Sequence, residues 1–245
     1  MVKLICRFSI IIPVLNEADR INGLIGHLRN FPGQEKIEII VVDGSAQGDT
    51  IGAIGDRQVR CLSAAAGRAK QMNAGAAAAT GEILIFLHAD TRLPEEAPAL
   101  IDHALGQPGI VGGAFDLGIR SNRLALKIIA AVASRRSRLT RIPYGDQAIF
   151  MRRDFFLQIG GWPDIPLMED VALMRQVKNA GGRIFIIPRR VSTSPRRWEQ
   201  EGVLRTTLRN WILLVSYYLG VAPEKLARHY RSGRSAYEKE ERRAP

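Results

Sequence analysis

The chain has 245 residues, 46% of them hydrophobic, so it can form one large domain or two small ones around a sizeable core. Its net charge of +11 favours a partner that carries phosphates, such as a nucleotide or an anionic lipid, and the absence of any DNA- or RNA-binding signature argues against nucleic acid. Two cysteines are too few for a disulfide framework, and no signal peptide or membrane span is recognisable, so a cytoplasmic protein is expected, with a peripheral place on the inner face of the membrane as the alternative.

The first part of the chain alternates strands and helices. Residues 8–12 form an apolar run that predicts a strand ended by Pro13, and Asn16 is a candidate cap for the amphipathic helix that follows. A second buried strand over residues 37–42 ends at Asp43. Because no G-x-G-x-x-G follows the first strand, neither a Rossmann dehydrogenase nor a P-loop ATPase is expected.

The most informative stretch is residues 83–90. Its apolar beginning predicts a strand buried on both faces, and polar His88 and Asp90 follow directly. Ligands of open α/β sheets bind outside the carboxyl ends of the strands, and a carboxylate there suits Mg²⁺ or Mn²⁺ holding a diphosphate. The alternative is that Asp90 and Thr91 only cap the helix that begins near Pro94.

The middle of the chain offers surfaces for an acceptor or a membrane. Residues 110–115 predict a strand, and the helix of residues 122–134 lies between basic residues, so it either rests on anionic lipid or packs on the domain with its basic end solvated. The loop 143–147 carries Asp146 and Gln147, which suit sugar hydroxyls or a simple turn.

The last third contains a pair of acids and a basic segment. Glu169 and Asp170 open a helix and point to different sides of it, so one can serve as a general base, or both can satisfy the helix N-terminus. A strand from residue 183 is expected to stop at Pro188, before a basic loop that suits a diphosphate or is simply solvated. The helix of residues 204–219 is too short to span a bilayer and covers the core, dimerises or touches a membrane.

Several of these segments together resemble family 2 glycosyltransferases of the GT-A fold. The resemblance is carried by Ser9–Glu17, Val42–Ser45 with Asp49–Thr50, Gly67–Arg68 and Ala89–Asp90, in matching order and spacing. It implies an α/β fold with a mostly parallel central sheet flanked by helices, and is closest to the short, soluble bacterial members. The expected division is one domain over 1–230, with a nucleotide-binding half (1–105), an acceptor half (106–200), a C-terminal helical segment (201–230), and then a charged tail (231–245).

The resemblance also implies roles for individual residues. Asp170 is the expected general base, and Asp90 the expected metal ligand; His88 replaces the usual first Asp of that motif and supplies no negative charge. The expected nucleotide-binding residues are Pro13, Leu15, Glu17, Asp43, Gly67, Arg68 and Ala89. The expected acceptor- or diphosphate-binding residues are Gly113, Asp146, Gln147, Trp162, Glu169, Arg197 and Trp198.

The predicted reaction is therefore an inverting, Mg²⁺- or Mn²⁺-dependent transfer of a sugar from a UDP- or GDP-sugar to a hydroxyl acceptor. The acceptor is either lipid-linked or a small molecule, and processive polymer synthesis is not expected because no long membrane domain follows. A nucleotidyltransferase, or a non-catalytic protein that binds nucleotide, lipid or a partner, is the alternative. The prediction requires Asp43, Asp90 and Asp170 to converge on one cleft.

Overall fold

A computed structural model describes residues 6–230, so the predicted charged tail of residues 231–245 lies outside the described residues. Seven strands form one sheet in the order β3-β2-β1-β4-β7-β6-β8, and a two-stranded sheet joins β5 to β9. The strands are β1 (Phe8–Val14), β2 (Ile37–Asp43), β3 (Arg60–Ser63), β4 (Ile83–Phe86), β5 (Thr91–Arg92), β6 (Ile110–Asp116), β7 (Phe150–Arg152), β8 (Arg183–Arg190) and β9 (Ser192–Thr193). In the seven-stranded sheet β7 alone runs antiparallel to its neighbours, β4 and β6.

Helices flank this sheet, as predicted. They are α1 (Ala18–Arg29), α2 (Asp49–Gly52), α3 (Arg68–Ala78), α4 (Ala97–Leu105), α5 (Leu124–Thr140), α6 (Arg153–Gln158), α7 (Glu169–Asn179), α8 (Arg196–Glu201) and α9 (Val203–Tyr218), and residues 223–230 are also helical. No helix of the described part is long and apolar enough to cross a membrane.

Two hydrophobic clusters lie on opposite faces of the sheet. Ile10 and Ile12 of β1 belong to the cluster that includes α1 and α4, whereas Ile11 belongs to the cluster that includes α3 and α7. Successive side chains of a strand point to opposite faces, so a strand covered on both sides reads as a continuous apolar run. The apolar strands predicted from the sequence are explained by this arrangement.

Two strand ends differ from the prediction. β1 continues through Pro13 to Val14, because β4 ends opposite Ile11 and the ladder on that side requires no N–H from residue 13. β8 continues through Pro188 because β8 is the edge strand of the sheet, where one side of the backbone has no partner.

Three helical features also differ. Asn16 does not cap α1: it lies in the left-handed region with φ 57°, and the helix begins after Glu17 without a side-chain cap. α5 extends to Thr140, beyond the predicted end at residue 134, and the hydroxyls of Ser134 and Ser137 within it donate hydrogen bonds to carbonyls four residues earlier. The predicted basic loop after residue 188 instead holds the end of β8, all of β9 and α8.

Candidate active site

The carboxyl ends of the parallel strands meet at one edge of the sheet. Val14 at the end of β1 lies opposite Asp43 at the end of β2, and β4 ends beside β1 just before His88. Because β7 runs in the opposite direction, the segment that precedes it reaches this same edge, and Phe86 donates a backbone hydrogen bond to Ile149 there. The fold thus gathers the ends of β1, β2 and β4 with the loop 144–147.

Asp170 contacts that loop directly. It lies in the first turn of α7, and its Oδ2 accepts the N–H of Gly145 at 3.0 Å while Oδ1 accepts the N–H of Val171 at 2.8 Å. Burial raises the pKa of Asp170 to about 7, and the neighbouring Glu169 carboxylate adds to the rise. The N–H of Gly145 and the charge of Arg68 oppose it. A carboxylate with this pKa accepts a proton efficiently near neutral pH.

Glu169 faces a different partner, as the sequence predicted from the geometry of a helix start. Its side chain is 4% exposed, and its Oε1 lies 3.1 Å from a guanidinium nitrogen of Arg68 at the beginning of α3. Glu169 raises the pKa of Arg68, which stays fully charged. The ion pair therefore joins the beginning of α3 to the beginning of α7 beside Asp170.

His88 and Asp146 each present a buried polar atom without a hydrogen-bond partner in the described part of the chain, Nε2 and Oδ1 respectively. Burial, with the charges of Arg68 and Arg197, lowers the pKa of His88 to about 3, so the imidazole is neutral at physiological pH. Burial raises the pKa of Asp146, and Arg197 opposes the rise. Both side chains thus have an open coordination or hydrogen-bonding position in the site.

Asp90 borders a pocket of about 220 Å³ between α1 and β5. Three arginines and one further acid belong to its lining, and Arg120 donates to the backbone carbonyls of both Asp90 and Ser192. The lining residues are Asp19, Arg20, Gly23, Leu24, Ala89, Asp90, Arg92 and Arg120. The charge of Asp90 also raises the pKa of Asp146. The two carboxylates, one following β4 and the other in the loop before β7, therefore lie in the same region of the site.

These residues fit a divalent cation that is shared with a ligand. In the described residues no group of three or more His, Cys, Asp or Glu side chains is placed to hold a metal ion by itself. Asp90, the unpartnered Nε2 of neutral His88 and the unpartnered Oδ1 of Asp146 are suitable donors for Mn²⁺ or Mg²⁺. Since Mg²⁺ is typically held by one or two carboxylates together with substrate phosphates, the remaining positions suit a diphosphate.

The loop after β1 contains the first predicted nucleotide contacts. Leu15 is 53% exposed, and Pro13 is partly buried. The backbone N–H of Glu17 donates a hydrogen bond to the hydroxyl of Thr50. The Glu17 carboxylate forms ion pairs with Arg20 and with Arg196, the latter at 3.1 Å. Glu17 therefore ties this loop to α8. The predicted glycine before α3, Gly67, adopts φ 142° at the helix start, and Ala89 lines the pocket of Asp90.

Other predicted site residues are buried within the protein. Asp43 is 0% exposed, and its carboxylate accepts the N–H groups of Ser45 and Ile51, so it organises the loop after β2. Gln147 is also 0% exposed and bonds to the hydroxyl of Ser137, the N–H of Tyr144 and the carbonyl of Phe115. These two side chains lie below the surface of the site, where their hydrogen bonds hold its loops in place.

Three further predicted residues lie in the core. Trp162 is 2% exposed and packs edge-on against Phe86 with ring centroids 5.0 Å apart. Gly113 lies inside the sheet, where a Cβ would meet the carbonyl oxygen of Phe185 at 2.0 Å. Trp198 is 9% exposed on α8. Its neighbour Arg197 is exposed, and the charge of Arg197 acts to lower the pKa of both His88 and Asp146.

Tyr144, Arg136 and Tyr230 belong to the site although the sequence did not single them out. The Arg136 guanidinium lies 3.6 Å from the ring centroid of Tyr144, and burial raises the pKa of Tyr144 to about 12. The Tyr230 ring lies under Arg197, with 5.5 Å between guanidinium carbon and ring centroid. An aromatic directly before the Gly-Asp-Gln segment was a signal for Tyr144, whereas nothing local marked Tyr230.

Comparison with known proteins decides the family. The model of the family described as "Glycosyl transferase family 2" matches residues 9–159, more than half of the chain. The chain belongs to this family. The predicted family, the GT-A type of fold and the prediction of a glycosyltransferase enzyme are thereby confirmed. No curated protein matches the sequence.

Solved structures with this fold include a mannosyltransferase and S. aureus TarS. The mannosyltransferase PcManGT from Pyrobaculum calidifontis, in complex with GDP-Man and Mn²⁺, superposes with a TM-score of 0.63 at 19% identity, covering 94% of this chain and 70% of that one. S. aureus TarS 1-349 in complex with UDP-GlcNAc gives a TM-score of 0.57 at 18% identity, covering 77% of this chain and 58% of that one. This family 2 chain thus spans less than two thirds of the TarS chain. Identity this low shows a common fold, and the roles of individual residues stay predictions.

Proposed function

We propose that this family 2 protein transfers a sugar from a nucleotide-diphosphate donor to a hydroxyl acceptor in one displacement, with inversion at the anomeric carbon. The observation that carries the proposal is Asp170, a partly buried carboxylate whose pKa is raised to about 7 and which the N–H of Gly145 holds at the edge of the sheet. A general base of this kind typically contributes about 10²–10⁴-fold to a rate.

The displacement then proceeds as follows. The acceptor hydroxyl gives its proton to Asp170 as its oxygen forms a bond to the anomeric carbon. The bond from that carbon to the diphosphate oxygen breaks on the opposite face, and the nucleoside diphosphate departs with the electron pair. Arg197 and Arg68, whose charges both lower the pKa of His88, would attract the negative charge that grows on the leaving group.

The donor is proposed to be a GDP- or UDP-sugar bound with Mn²⁺ or Mg²⁺. The fold shared with a mannosyltransferase bound to GDP-Man and Mn²⁺ and with a protein bound to UDP-GlcNAc supports this proposal. Asp90 and His88, with Asp146, would supply only part of the ligands of the cation and the diphosphate the rest, and the cation supplies positive charge to the diphosphate when bound. The acceptor is a lipid-linked or small-molecule hydroxyl, and the expected location is the cytoplasm, where a homodimer or a peripheral membrane contact would use the exposed helices.

Calorimetry with GDP and with UDP, each with and without Mn²⁺, tests the donor site. Metal-dependent binding of one nucleotide is expected, and no binding of either nucleotide would contradict the proposal. The variant Asp90→Asn is expected to lose the dependence on metal.

The base is tested separately, using transfer from the matching nucleotide sugar. Asp170→Asn is expected to bind the nucleotide as the wild type does and to lose roughly 10²-fold or more in transfer rate. Asp164 is an exposed acid in the loop before α7, and Asp164→Asn, which removes the same charge, is the matched control. It should leave nucleotide binding and transfer rate unchanged. Equal loss of nucleotide binding and transfer in Asp170→Asn would remove Asp170 from the role of base.

A further inference from the structure

An apolar stripe runs along the whole length of α9 on its solvent side. Leu204, Leu208, Trp211, Val215 and Tyr218 follow one another at spacings of three and four residues, and their exposed fractions lie between 49% and 86%. Residues three and four apart share one face of a helix, so these side chains form a single band, about 21 Å long from Leu204 to Tyr218 at 1.5 Å per residue. The opposite face of α9 buries Thr206 and Leu213. No described part of the chain covers the band, which is called the α9 stripe below.

A second band lies on α5. Leu124, Ile128, Val132 and Leu139 are 53–76% exposed and fall on one face of that helix, whose other face is buried through Leu126 and Ala130. This band is called the α5 stripe below. Two helices of one domain thus present apolar side chains to solvent, an arrangement that marks an interaction surface.

The end of α9 and the last part of α5 both lie beside Tyr144 in the candidate active site. Tyr218, at the end of α9, is near enough to Tyr144 to contribute to the rise in its pKa. The guanidinium of Arg136, on α5, lies over the ring of Tyr144. Tyr144 in turn precedes Gly145, which holds Asp170. A surface that covers both stripes would therefore lie next to the acceptor side of the site.

The charge around the stripes identifies the kind of surface. Residues 117–145, which include α5, contain seven Lys or Arg residues and no Asp or Glu, and one of the seven, Arg138, pairs with Asp116. Residues 202–223, which include α9, contain two Arg and no acid, and one of the two, Arg209, pairs with Glu201. An apolar helix face flanked by basic residues, with Trp and Tyr on it, fits the headgroup region of an anionic bilayer. A two-fold contact with a second copy would instead place the basic residues of both copies opposite each other.

We propose that the α5 and α9 stripes dock this protein on an anionic lipid surface, with the acceptor side of the site facing the bilayer. The docking itself stands apart from the reaction. It rests on the proposed function only in its consequence, which is that the acceptor hydroxyl is carried by a lipid.

Vesicle binding by the full chain tests the docking. Vesicles of phosphatidylcholine with about one third phosphatidylglycerol are expected to bind the protein, and pure phosphatidylcholine vesicles much less. Trp211 is a built-in probe, since it is 52% exposed whereas Trp162 and Trp198 are 2% and 9% exposed. Its fluorescence should shift to the blue and be quenched by brominated lipid, and an unquenched Trp211 would contradict docking through α9.

Substitutions on the stripes separate the apolar contribution from the charge. Leu208→Glu with Val215→Glu should weaken vesicle binding at least about tenfold, because each change places a charge where an apolar side chain would enter the bilayer. Leu157→Glu, at a position 48% exposed on α6, is the matched control and should bind normally. Lys127→Glu with Arg135→Glu should abolish the preference for anionic vesicles, and Arg57→Glu with Lys178→Glu should not.

The outcomes distinguish this inference from the proposed function and from self-association. Nucleotide binding is measured without vesicles, so a stripe variant that binds nucleotide but not vesicles supports docking, and a wild type that binds nucleotide but not vesicles overturns docking alone. A wild type that binds vesicles but no nucleotide overturns the proposed function alone. If sedimentation shows a dimer that Leu208→Glu with Val215→Glu dissolves, and vesicles do not bind, the stripes are an interface between two copies and the inference is wrong.

Discussion

Burial causes most of the rise in the pKa of Asp170, and two charged neighbours shift this pKa in opposite directions. Glu169 raises the pKa of Asp170, and Arg68 lowers it, although Glu169 and Arg68 are themselves paired at 3.1 Å. The ion pair between Arg68 and Glu169 therefore influences the pKa of Asp170, the proposed base. This coupling can be read in the pH dependence of the reaction.

The transfer rate is expected to rise with pH through about 7, because only ionised Asp170 accepts the proton. Glu169→Gln removes a negative neighbour and should move this rise to lower pH, whereas Arg68→Gln removes a positive neighbour and should move it to higher pH. The measurement is kcat/KM between about pH 5 and pH 9. Shifts of the same sign in both variants would contradict the assignment of the rising limb to Asp170.

The same pKa predicts an effect on stability. Since the pKa of Asp170 is raised in the folded protein, the protonated carboxyl stabilises the fold at low pH, and this contribution is lost as the pH rises through about 7. Asp170→Asn, which can still accept the N–H of Gly145, should be more stable than the wild type at pH 8 by roughly 1–3 kcal/mol and equally stable near pH 4. Chemical unfolding at the two pH values measures this, and an equal difference at both would contradict it.

His88 takes the place of an acid in the family motif. Its pKa of about 3 leaves it neutral, so it contributes no charge to a cation. His88→Asp is expected to tighten Mn²⁺ binding about tenfold, within the usual range for changes at or near metal ligands. Calorimetric titration of Mn²⁺ in the presence of nucleotide measures this, and His103→Asp, on α4, is the control. Unchanged affinity in His88→Asp would place the cation away from residue 88.

Sequence reasoning at this scale depended on whether a side chain faces the site or the core. Asp146, Asp170 and Arg197 have functional groups near the sheet edge. Trp162 was expected to bind the acceptor or the diphosphate, but the local Gly-Gly-Trp pattern around it is the same whether the ring meets a ligand or, as here, Phe86. Side-chain burial is set by distant segments, so the local pattern could not give it.

At the scale of elements, Gly113 shows how closely β6 and β8 approach. A Cβ on this glycine would lie 2.0 Å from the carbonyl oxygen of Phe185, which is backbone and cannot rotate away. Gly113→Ala should therefore destabilise the protein by about 1–3 kcal/mol or more. Gly26→Ala on the exposed side of α1, with no heavy atom within 4 Å of the new Cβ, is the control and should stabilise by about 0.5–1 kcal/mol. Thermal unfolding measures both, and a neutral Gly113→Ala would contradict the close approach.

Apolar periodicity predicted most elements because it is a property of the segment itself. The strands β1, β2 and β4 were recognised as apolar runs, and α7 and α9 by helical spacing. β9 and α8 were not recognised. β9 consists of two hydroxylated residues and exists through pairing with β5, about a hundred residues earlier, and α8 is a short helix of charged and polar residues around Trp198. The rule that proline ends a strand failed at β8 because strand order in the sheet is not visible in the sequence.

In the whole molecule, two ion pairs add to the shared sheet and the two hydrophobic clusters in joining the first part of the chain to the last. Arg196 of α8 reaches Glu17 before α1, and Arg68 reaches Glu169. A nucleotide that binds at this junction should protect both halves at once. At about 100 times its dissociation constant, the nucleotide with Mn²⁺ should add about 2.7 kcal/mol to the stability of the folded state in a single unfolding transition. Calorimetric melting tests this, and two separate transitions would contradict it.

The reversed direction of β7 lets one short loop serve both sides of the proposed reaction. The loop 144–147 reaches the site ahead of its strand and is anchored by Gln147 to Ser137 and Phe115. Its Gly145 holds Asp170, the proposed base, and its Asp146 is a proposed ligand of the donor's cation. A substitution or insertion in this loop is therefore expected to disturb donor affinity and acceptor choice together, so the two properties could not evolve independently through it.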